Sequence, residues 1–221
     1  MKPRFINQPE LAPDRLLSAY ALGVFPMADE RGRLQWLSPD PRAILEIESF
    51  KPSRSLRALI RRDVFRVTMN ESFREVMEAC ADREEGTWIS DEIREAYQRL
   101  HEMGVAHSVE TRREDRLVGG LYGVALGAAF FGESMFHREP NASKVALAAL
   151  VERLRCQGFL LLDCQFQTDH LRSLGAIEVS RREYLRRLSA VVRQPRMLDE
   201  GSHAAYIAEP PGPRGPDGSL P

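Results

Sequence analysis

The chain has 221 residues, 43% hydrophobic and 29% charged, which suits one ordinary core with a small appendage. Lys and Arg number 31 against 32 Asp and Glu, so a whole-chain cationic field for nucleic acid is excluded and only a local basic face remains possible. The three cysteines have no CxxC spacing, and we expect neither a disulfide framework nor a metal site. Because the sequence shows no signal peptide and no apolar run of about 18 residues, we expect a cytoplasmic protein without membrane contact.

The predicted elements begin with a short amphipathic helix over 13–22, in which Pro13 fits the first turn and Gly23 can end the helix. A polar turn over 29–32 and a rigid, Pro-punctuated connector over 36–42 follow. The next elements, in chain order, are predicted as a strand over 43–47, a basic helix capped by Ser53, a strand over 65–69, and helices over 72–81 and 91–103.

The second half of the chain is predicted to be rich in β-structure. Its elements, in chain order, are strands over 107–111, 117–126 and 129–136, a helix over 142–155, a strand over 159–164, and helices over 168–174 and 180–192. The second and third of these strands form an antiparallel hairpin through Gly127, and either Asn141 or Ser143 caps the long helix. The strand over 159–164 is continuously apolar, which is typical of burial on both faces.

This order of elements indicates an α+β fold with a mostly antiparallel sheet and flanking helices. We divide the chain into a small N-terminal domain over 1–39, a catalytic domain over 40–197 and a disordered Pro/Gly-rich tail over 198–221. The succession of hairpin, helix and buried strand is similar to the Gcn5-related N-acetyltransferase fold. That similarity concerns architecture and does not by itself give a chemistry.

Two apolar segments carry polar residues that a core pattern does not explain. Glu133 interrupts the run 130–136, and Asp163 and Gln165 end the run 160–166. Because residues two apart on a strand face the same side, we expect Asp163 and Gln165 to point into one cleft, joined there by Glu133. A buried carboxylate is costly unless it is paired, so a nearby Arg or backbone donors would give a structural explanation instead. The spacing alone leaves both explanations open.

A series of short motifs in chain order resembles the leucyl/phenylalanyl-tRNA–protein transferase family over roughly residues 13–193. The motifs are Tyr20-Ala-Leu-Gly-Val-Phe-Pro26, Trp36-Leu-Ser-Pro-Asp-Pro-Arg42, Asn70, Asp82-Arg-Glu-Glu-Gly-Thr-Trp88-Ile89, Gly132-Glu-Ser-Met-Phe136, Asn141-Ala-Ser-Lys144, Asp163-Cys-Gln165 and Ser173-Leu-Gly-Ala176. The resemblance implies a Gcn5-related fold and an enzyme that moves Leu, Phe or Met from aminoacyl-tRNA to the N-terminal Arg or Lys of proteins. Such a transfer marks the acceptor protein for degradation by the N-degron pathway.

By this resemblance the catalytic candidates are Asp163, Gln165 and Glu133. Gln165 would hydrogen-bond the amine or the ester carbonyl, while Asp163 would either accept the amine proton or hold the cationic N-terminal residue. Glu133 would be the second carboxylate of a pocket for Arg or Lys. An α-amino group titrates near 7.7–8.0, so this aminolysis needs positioning and charge stabilisation more than a strong base. We expect no cofactor.

On the donor side, the resemblance implies a stacking platform for the terminal adenosine and an apolar pocket for the amino acid. Trp88 and Tyr97 are the stacking candidates. Met27 stands where the family often has Trp, so we expect a thioether contact there and more of the stacking from Trp88. The positions that line the apolar pocket in the family are Leu121, Phe130, Met135 and Leu150. An ordinary core role is the alternative for these residues.

The first candidate for tRNA phosphates is the basic helix that carries Arg54, Arg57, Arg61 and Arg62. The first three of these residues share a helix face, which concentrates charge. A second basic face lies over 181–187, where a solvated surface is the stronger alternative. We expect the enzyme to act as a monomer.

Two other functions compete with this interpretation. An acyl-CoA-dependent N-acetyltransferase would need backbone N–H groups around a pyrophosphate, but the segment 138–144 has no glycine and Pro140 lacks an N–H. A tRNA-binding adaptor without catalysis would leave Glu133, Asp163 and Gln165 unexplained.

Overall fold

A computed structural model describes residues 11–84 and 86–198 of the chain. The helices are α1 (Pro13–Ala21), α2 (Arg54–Arg61), α3 (Phe73–Ala81), α4 (Asp91–Glu102), α5 (Ala142–Cys156), α6 (Asp169–Ser173) and α7 (Arg181–Val191). The strands are β1 (Phe25–Ala28), β2 (Leu34–Leu37), β3 (Arg42–Leu45), β4 (Arg66–Met69), β5 (Ala106–Arg113), β6 (Arg116–Leu126), β7 (Ala129–His137), β8 (Leu161–Gln165) and β9 (Ile177–Val179). Beyond Leu198, the tail that is predicted to be disordered lies outside the described residues.

Seven strands form one sheet in the order β4-β5-β6-β7-β8-β3-β9, and β1 and β2 form a separate two-stranded hairpin. Every neighbouring pair of the large sheet is antiparallel except β7 and β8, which are parallel. The predicted α+β class, with a mostly antiparallel sheet and flanking helices, is confirmed. Within the described ranges, no helix is long and apolar enough to cross a membrane.

The sheet separates two hydrophobic clusters. One cluster holds the apolar faces of α1, α3, α4 and α7, and the other holds those of α2 and α5. Phe130 and Phe131 of β7 contribute to opposite clusters, as do Leu161 and Leu162 of β8. Successive residues of these strands therefore face opposite cores, which explains why the apolar residues at 129–131 of β7 and 161–162 of β8 are consecutive.

The predicted helix caps are confirmed at α2, and at α5 only the position of the N-cap residue is confirmed. The hydroxyl of Ser53 accepts a hydrogen bond from the N–H of Leu56 at 3.2 Å, as an N-cap side chain does. At α5, Asn141 occupies the N-cap position with φ of 69° and makes no side-chain capping bond. A capping side chain needs an extended backbone, which this left-handed residue does not have. Ser143 lies inside the helix.

Three strands were not predicted from the sequence. The β1–β2 hairpin pairs Phe25 with Leu37 across a region for which the sequence predicts only a polar turn and a rigid connector. Pro26 lies within this hairpin, and proline lowers the strand signal of any short segment. The strand β9 is only three residues long and lies at the sheet edge beside β3.

Candidate active site

The candidate site is a cavity of about 530 Å³ that opens where β7 and β8 separate. The two strands pair in parallel up to Phe131 and Asp163. Beyond this pair, β7 continues to His137 without β8 beside it. Residues of both strands beyond that point line the cavity, together with one face of α5. A cleft of this size suits a small-molecule fragment rather than a single water.

A β-bulge in β7 aims Glu133 at the cavity. Gly132 pairs with Gly123 and Ser134 pairs with Tyr122, so Glu133 is the extra residue of the strand. A Cβ at Gly123 would lie 2.2 Å from the carbonyl oxygen of Phe131, and only glycine fits opposite this bulge. Bulges of this kind redirect a side chain, which is why they occur next to active sites.

A second bulge lies in β8, on the other side of the cavity. Ile44 of β3 pairs with Asp163 and Ala43 pairs with Gln165, which leaves Cys164 as the extra residue. Gln165 has φ of 62°. As a result Cys164 and Gln165 both line the cavity, whereas Asp163 does not. The expectation that Asp163 and Gln165 share one face of a regular strand is therefore wrong.

Asp163 is fully buried in a hydrogen-bonded ion pair. Its carboxylate accepts hydrogen bonds from Nε and Nη2 of Arg42, at 2.9 and 2.6 Å, in the bidentate geometry that Arg favours. The hydroxyl of Tyr184 donates to Oδ2 at 2.7 Å, and the backbone N–H of Gln165 donates to Oδ1 at 2.9 Å. Arg42 is only 1% exposed. Arg42 is the partner that a buried carboxylate requires, and the bond from the Gln165 N–H links Asp163 to the turn that carries Gln165.

Glu133 accepts three hydrogen bonds at the cavity wall. Tyr20 and Tyr97 donate to Oε1 and Oε2 at 2.7 and 3.2 Å, and Nε2 of Gln165 donates to Oε1 at 3.0 Å. The two tyrosine hydroxyls also bond to each other. Burial raises the pKa of Glu133 to about 7, although the tyrosine hydrogen bonds act in the opposite direction. The Glu133 carboxyl therefore titrates in the physiological range.

The structure brings most of the predicted donor-side residues to the cavity. Met27, Trp88, Leu121, Met135 and Leu150 line it. Tyr97 and Phe130 do not, and their side chains are fully buried. Tyr97 supports Glu133 through its hydroxyl and has no ring face open for stacking, which corrects that prediction. Phe130 packs in the hydrophobic cluster of α2 and α5, so it is a core residue behind the pocket and not part of its wall.

Three residues that hold the carboxylates were not predicted from the sequence. Arg42 and Tyr184 bond to Asp163, and Tyr20 bonds to Glu133. Tyr20 begins one motif of the family resemblance and Arg42 ends another. Membership in these motifs was the signal in the sequence that could have identified both residues. Arg83, which also lines the cavity, donates from Nη2 to the Ser134 hydroxyl at 2.8 Å.

The two basic helices differ in how far their charge is neutralised. The three arginines of α2 and Arg62 directly after it are exposed, and within residues 11–84 and 86–198 none of them has a carboxylate partner. On α7, by contrast, Arg186 and Arg187 pair with Glu183, and Arg187 also pairs with Glu46. For metal binding, the described part of the chain contains no group of three or more His, Cys, Asp or Glu side chains that could hold an ion.

Comparison with known proteins identifies the relatives of this chain. Residues 44–189 match the family model described as leucyl/phenylalanyl-tRNA protein transferase, and residues 9–40 match the model of its N-terminal domain. A leucyl/phenylalanyl-tRNA–protein transferase of Rhizorhabdus wittichii is 60% identical over 178 residues, which is 78% of this chain and 72% of the relative. The transferase of Rubrobacter xylanophilus is 53% identical over 84% of this chain and 97% of the relative.

Among solved structures, L-PGS from Bacillus licheniformis is similar with a TM-score of 0.42 and 13% identity, over 60% of this chain and 49% of that one. A likeness of this size carries no conclusion. The two family models together span most of the chain, and both relatives exceed half identity. The chain therefore belongs to the leucyl/phenylalanyl-tRNA–protein transferase family.

Proposed function

We propose that this enzyme transfers Leu, Phe or Met from aminoacyl-tRNA to the N-terminal Arg or Lys of proteins and thereby marks them for the N-degron pathway. Family membership supports this class of reaction. The observation that carries the proposal is the bonded pair of Glu133 and Gln165, which lines the same cavity as the apolar side chains of Leu121, Met135 and Leu150. The apolar wall suits an uncharged amino-acid side chain, and the polar pair suits an amine and an ester.

The donor amino acid occupies the part of the cavity lined by Leu121, Met135 and Leu150. A flexible thioether among branched side chains suits a pocket that accepts Leu, Phe and Met. Trp88 and Met27 contact the terminal adenosine at another part of the wall, with the indole as the stacking surface. This division is supported because Leu121, Met135 and Leu150 pack with the cluster of α2 and α5, whereas Met27 and Trp88 pack with the other cluster.

In the reaction, the α-amine of the acceptor attacks the ester carbonyl, a new N–C bond forms and the C–O bond to the tRNA breaks. The amine nitrogen loses one proton and the tRNA 3′ oxygen gains one. The side-chain oxygen of Gln165 accepts a hydrogen bond from the attacking amine, since its Nε2 is already bonded to Glu133. The Glu133 carboxylate has room for one further donor, and it receives the amine proton or the cationic group of the acceptor.

Asp163 acts through Gln165 rather than on the substrate, so its role is positioning. Its Oδ1 accepts the Gln165 backbone N–H, and its side chain is fully buried. This bond holds the left-handed turn from which Gln165 reaches Glu133. The ion pair with Arg42 keeps Asp163 in that orientation.

The Gcn5-related N-acetyltransferase fold is the architecture we propose for the domain that follows residue 39. The separation of two parallel neighbours in a mostly antiparallel sheet and the bulge before α5 support it. The family models divide the chain between residues 40 and 44, close to the boundary proposed here between the small N-terminal domain and the catalytic domain. The monomeric state and the absence of a cofactor stay predictions.

The experiment that tests the donor class supplies the enzyme with a peptide beginning with Arg and with either leucyl-tRNA or acetyl-CoA. We expect leucine to appear on the peptide and no acetylation, measured by mass spectrometry. Acetylation without leucine transfer would replace this proposal by the acyl-CoA-dependent alternative.

The pH dependence of transfer is a further prediction, based on the raised pKa of Glu133. Because the carboxylate is the accepting form, kcat/KM should rise with pH through about 7, in addition to the rise from the acceptor amine near 7.7–8.0. Glu133→Gln should lower kcat/KM and leave only the amine ionisation in the profile. An unchanged profile in this variant would contradict the role of Glu133.

The same ionisation predicts the opposite trend in stability. The folded protein holds the Glu133 proton up to about 7, whereas the unfolded chain releases it near the ordinary value of 4.5. The folded state therefore binds more protons between these values, and the free energy of unfolding should fall as pH rises through this window. Glu133→Gln should flatten this part of the curve, measured by urea unfolding at several pH values.

The exposed arginines of α2 predict a loss of tRNA affinity on neutralisation. Replacing Arg54, Arg57 and Arg61 together by alanine should weaken binding of tRNA and reduce the slope of log affinity against log salt by about 0.7–0.9 for each phosphate that α2 no longer neutralises. The matched control replaces Arg186 and Arg187, which already have carboxylate partners. An equal salt slope in the α2 variant and the wild type would contradict this assignment.

A further inference from the structure

One end of the cavity is formed by the N-terminus of α5. Ser143, in the first turn of this 15-residue helix, lines the cavity together with His137 and His170. The first turn contains no acidic residue and receives no side-chain cap. The N–H groups of Ser143 and Lys144 have no acceptor within the described ranges. The positive end of the helix dipole is therefore available to an anion at this end of the cavity.

Two polar side chains at the same place have no partner. Ser143 is 2% exposed, lines the cavity, and its hydroxyl makes no hydrogen bond to any residue that the structure describes. Nε2 of His170 is buried and likewise has no partner among those residues. Buried polar groups are usually satisfied, so two such groups beside free N–H groups indicate a ligand that provides the missing bonds.

Lys144 supplies a positive charge beside this end of the cavity. It lies close enough to His170 that, after burial, it is the largest influence that lowers the pKa of that imidazole. Two carboxylates close by in the sequence are already paired: Asp169 with Arg172 at 3.0 Å and Glu139 with Arg113 at 3.0 Å. An anion at this end of the cavity would therefore meet the charge of Lys144 beside carboxylates that have their own partners.

A chain of two contacts joins the segment after α2 to the segment before α5. Phe65, three residues after the α2 C-cap at Arg62, lies under the guanidinium of Arg113 at 5.2 Å. Arg113 in turn pairs with Glu139, three residues before α5 begins. The C-terminal end of α2 and the N-terminal end of α5 therefore lie on the same side of the molecule. A polyanion that binds α2 can continue from there to the cavity.

We propose that His137, Ser143, Lys144 and His170 bind the phosphate that joins the last two nucleotides of the donor tRNA. The inference rests on the proposed function, because that reaction requires the aminoacylated 3′ end to enter this cavity. The segment before α5 contains Pro140 and no glycine, so it offers bonds for a single phosphate rather than a pyrophosphate. The continuity with α2 favours tRNA over a carboxylate of the acceptor peptide.

The test compares the binding of adenosine and of adenosine 5′-monophosphate to the full chain by calorimetry, since the two probes differ only in this phosphate. The wild type should bind the monophosphate about tenfold more tightly than adenosine. Lys144→Ala and Ser143→Ala should each reduce this ratio and leave adenosine binding unchanged, and Lys144→Arg should restore it. Lys51→Ala, which removes an exposed lysine in front of α2, is the matched control and should keep the wild-type ratio.

A second readout separates binding from a merely structural role. The pKa of His170, followed by NMR of its imidazole, should rise when the monophosphate binds and stay constant with adenosine. Equal affinity for the two probes in a wild-type enzyme that transfers leucine would overturn this inference and leave the proposed function intact. It would also be overturned if Lys144→Ala weakened only the binding of acceptor peptides with an acidic second residue. An enzyme that neither transfers leucine nor binds adenosine would overturn the proposed function itself.

Discussion

Replacing Asp163 by alanine is expected to lower the free energy of unfolding by about 3–5 kcal/mol, because the Arg42 guanidinium would stay buried without its carboxylate. Arg42 also donates to the carbonyl oxygen of Gly23 and lies against the rings of Phe25 and Tyr184. The ion pair therefore joins the segment after α1 to β3, β8 and α7. Urea unfolding of the wild type and the variant measures the difference.

Two comparisons make this prediction specific to the buried pair. Arg74→Ala removes one partner of an exposed ion pair with Glu78 and should change stability by less than about 1 kcal/mol. The double variant Arg42→Ala with Asp163→Ala should cost less than the sum of the two single variants, since the second change removes the charge that the first left unpaired. A wild-type unfolding midpoint for Asp163→Ala would show that the pair contributes little to the fold.

Replacing Gln165 by glycine is expected to lower kcat/KM for leucine transfer by about 10²–10³-fold, the effect of losing one hydrogen-bonding group at the reacting atoms. Glycine is the informative substitution because φ at this position is 62°, which glycine adopts without strain. The loss of activity should therefore occur with little change in the urea midpoint. Single-turnover measurements with leucyl-tRNA and a peptide beginning with Arg give the rate.

Gln165→Ala is the matched variant, since it also loses the amide but keeps a Cβ in a left-handed backbone. We expect the same loss of transfer, with a free energy of unfolding about 1–2 kcal/mol lower than that of Gln165→Gly, because alanine keeps the strain that the wild-type glutamine also carries. The difference between the two variants separates backbone strain from chemistry. Transfer at the wild-type rate by Gln165→Gly would refute the assignment of Gln165 to the reacting atoms.

The sequence was sufficient for the parts of the fold that depend on local patterns. The six helices from α2 to α7 and the long strands show clear periodicity, and the hairpin of β6 and β7 turns at Gly127 as expected. The short elements β1, β2 and β9 were missed because three or four residues, one of them Pro26, give too little pattern to recognise. The left-handed backbone at Asn141 could not be predicted either, and because of it the residue at the predicted N-cap position makes no capping bond.

The site was predicted in its residue types but not in its geometry. Glu133, Asp163 and Gln165 are polar residues in apolar runs, and this contrast identified them. Their partners could not be predicted from spacing, because Arg42 and Asp163 are 121 positions apart and Tyr20 and Glu133 are 113 apart. The two bulges changed which side chains reach the cavity, since one extra residue reverses the alternation on which the prediction depended.

The most direct test of the central claim measures leucine transfer from leucyl-tRNA to three peptides that differ only in a first residue of Arg, Lys or Ala. We predict transfer to the Arg and Lys peptides and none to the Ala peptide, because a carboxylate at the reaction site, Glu133, favours a cationic acceptor. Equal transfer to all three peptides would contradict acceptor selection at this cavity. No transfer to any of them would contradict the proposed reaction itself.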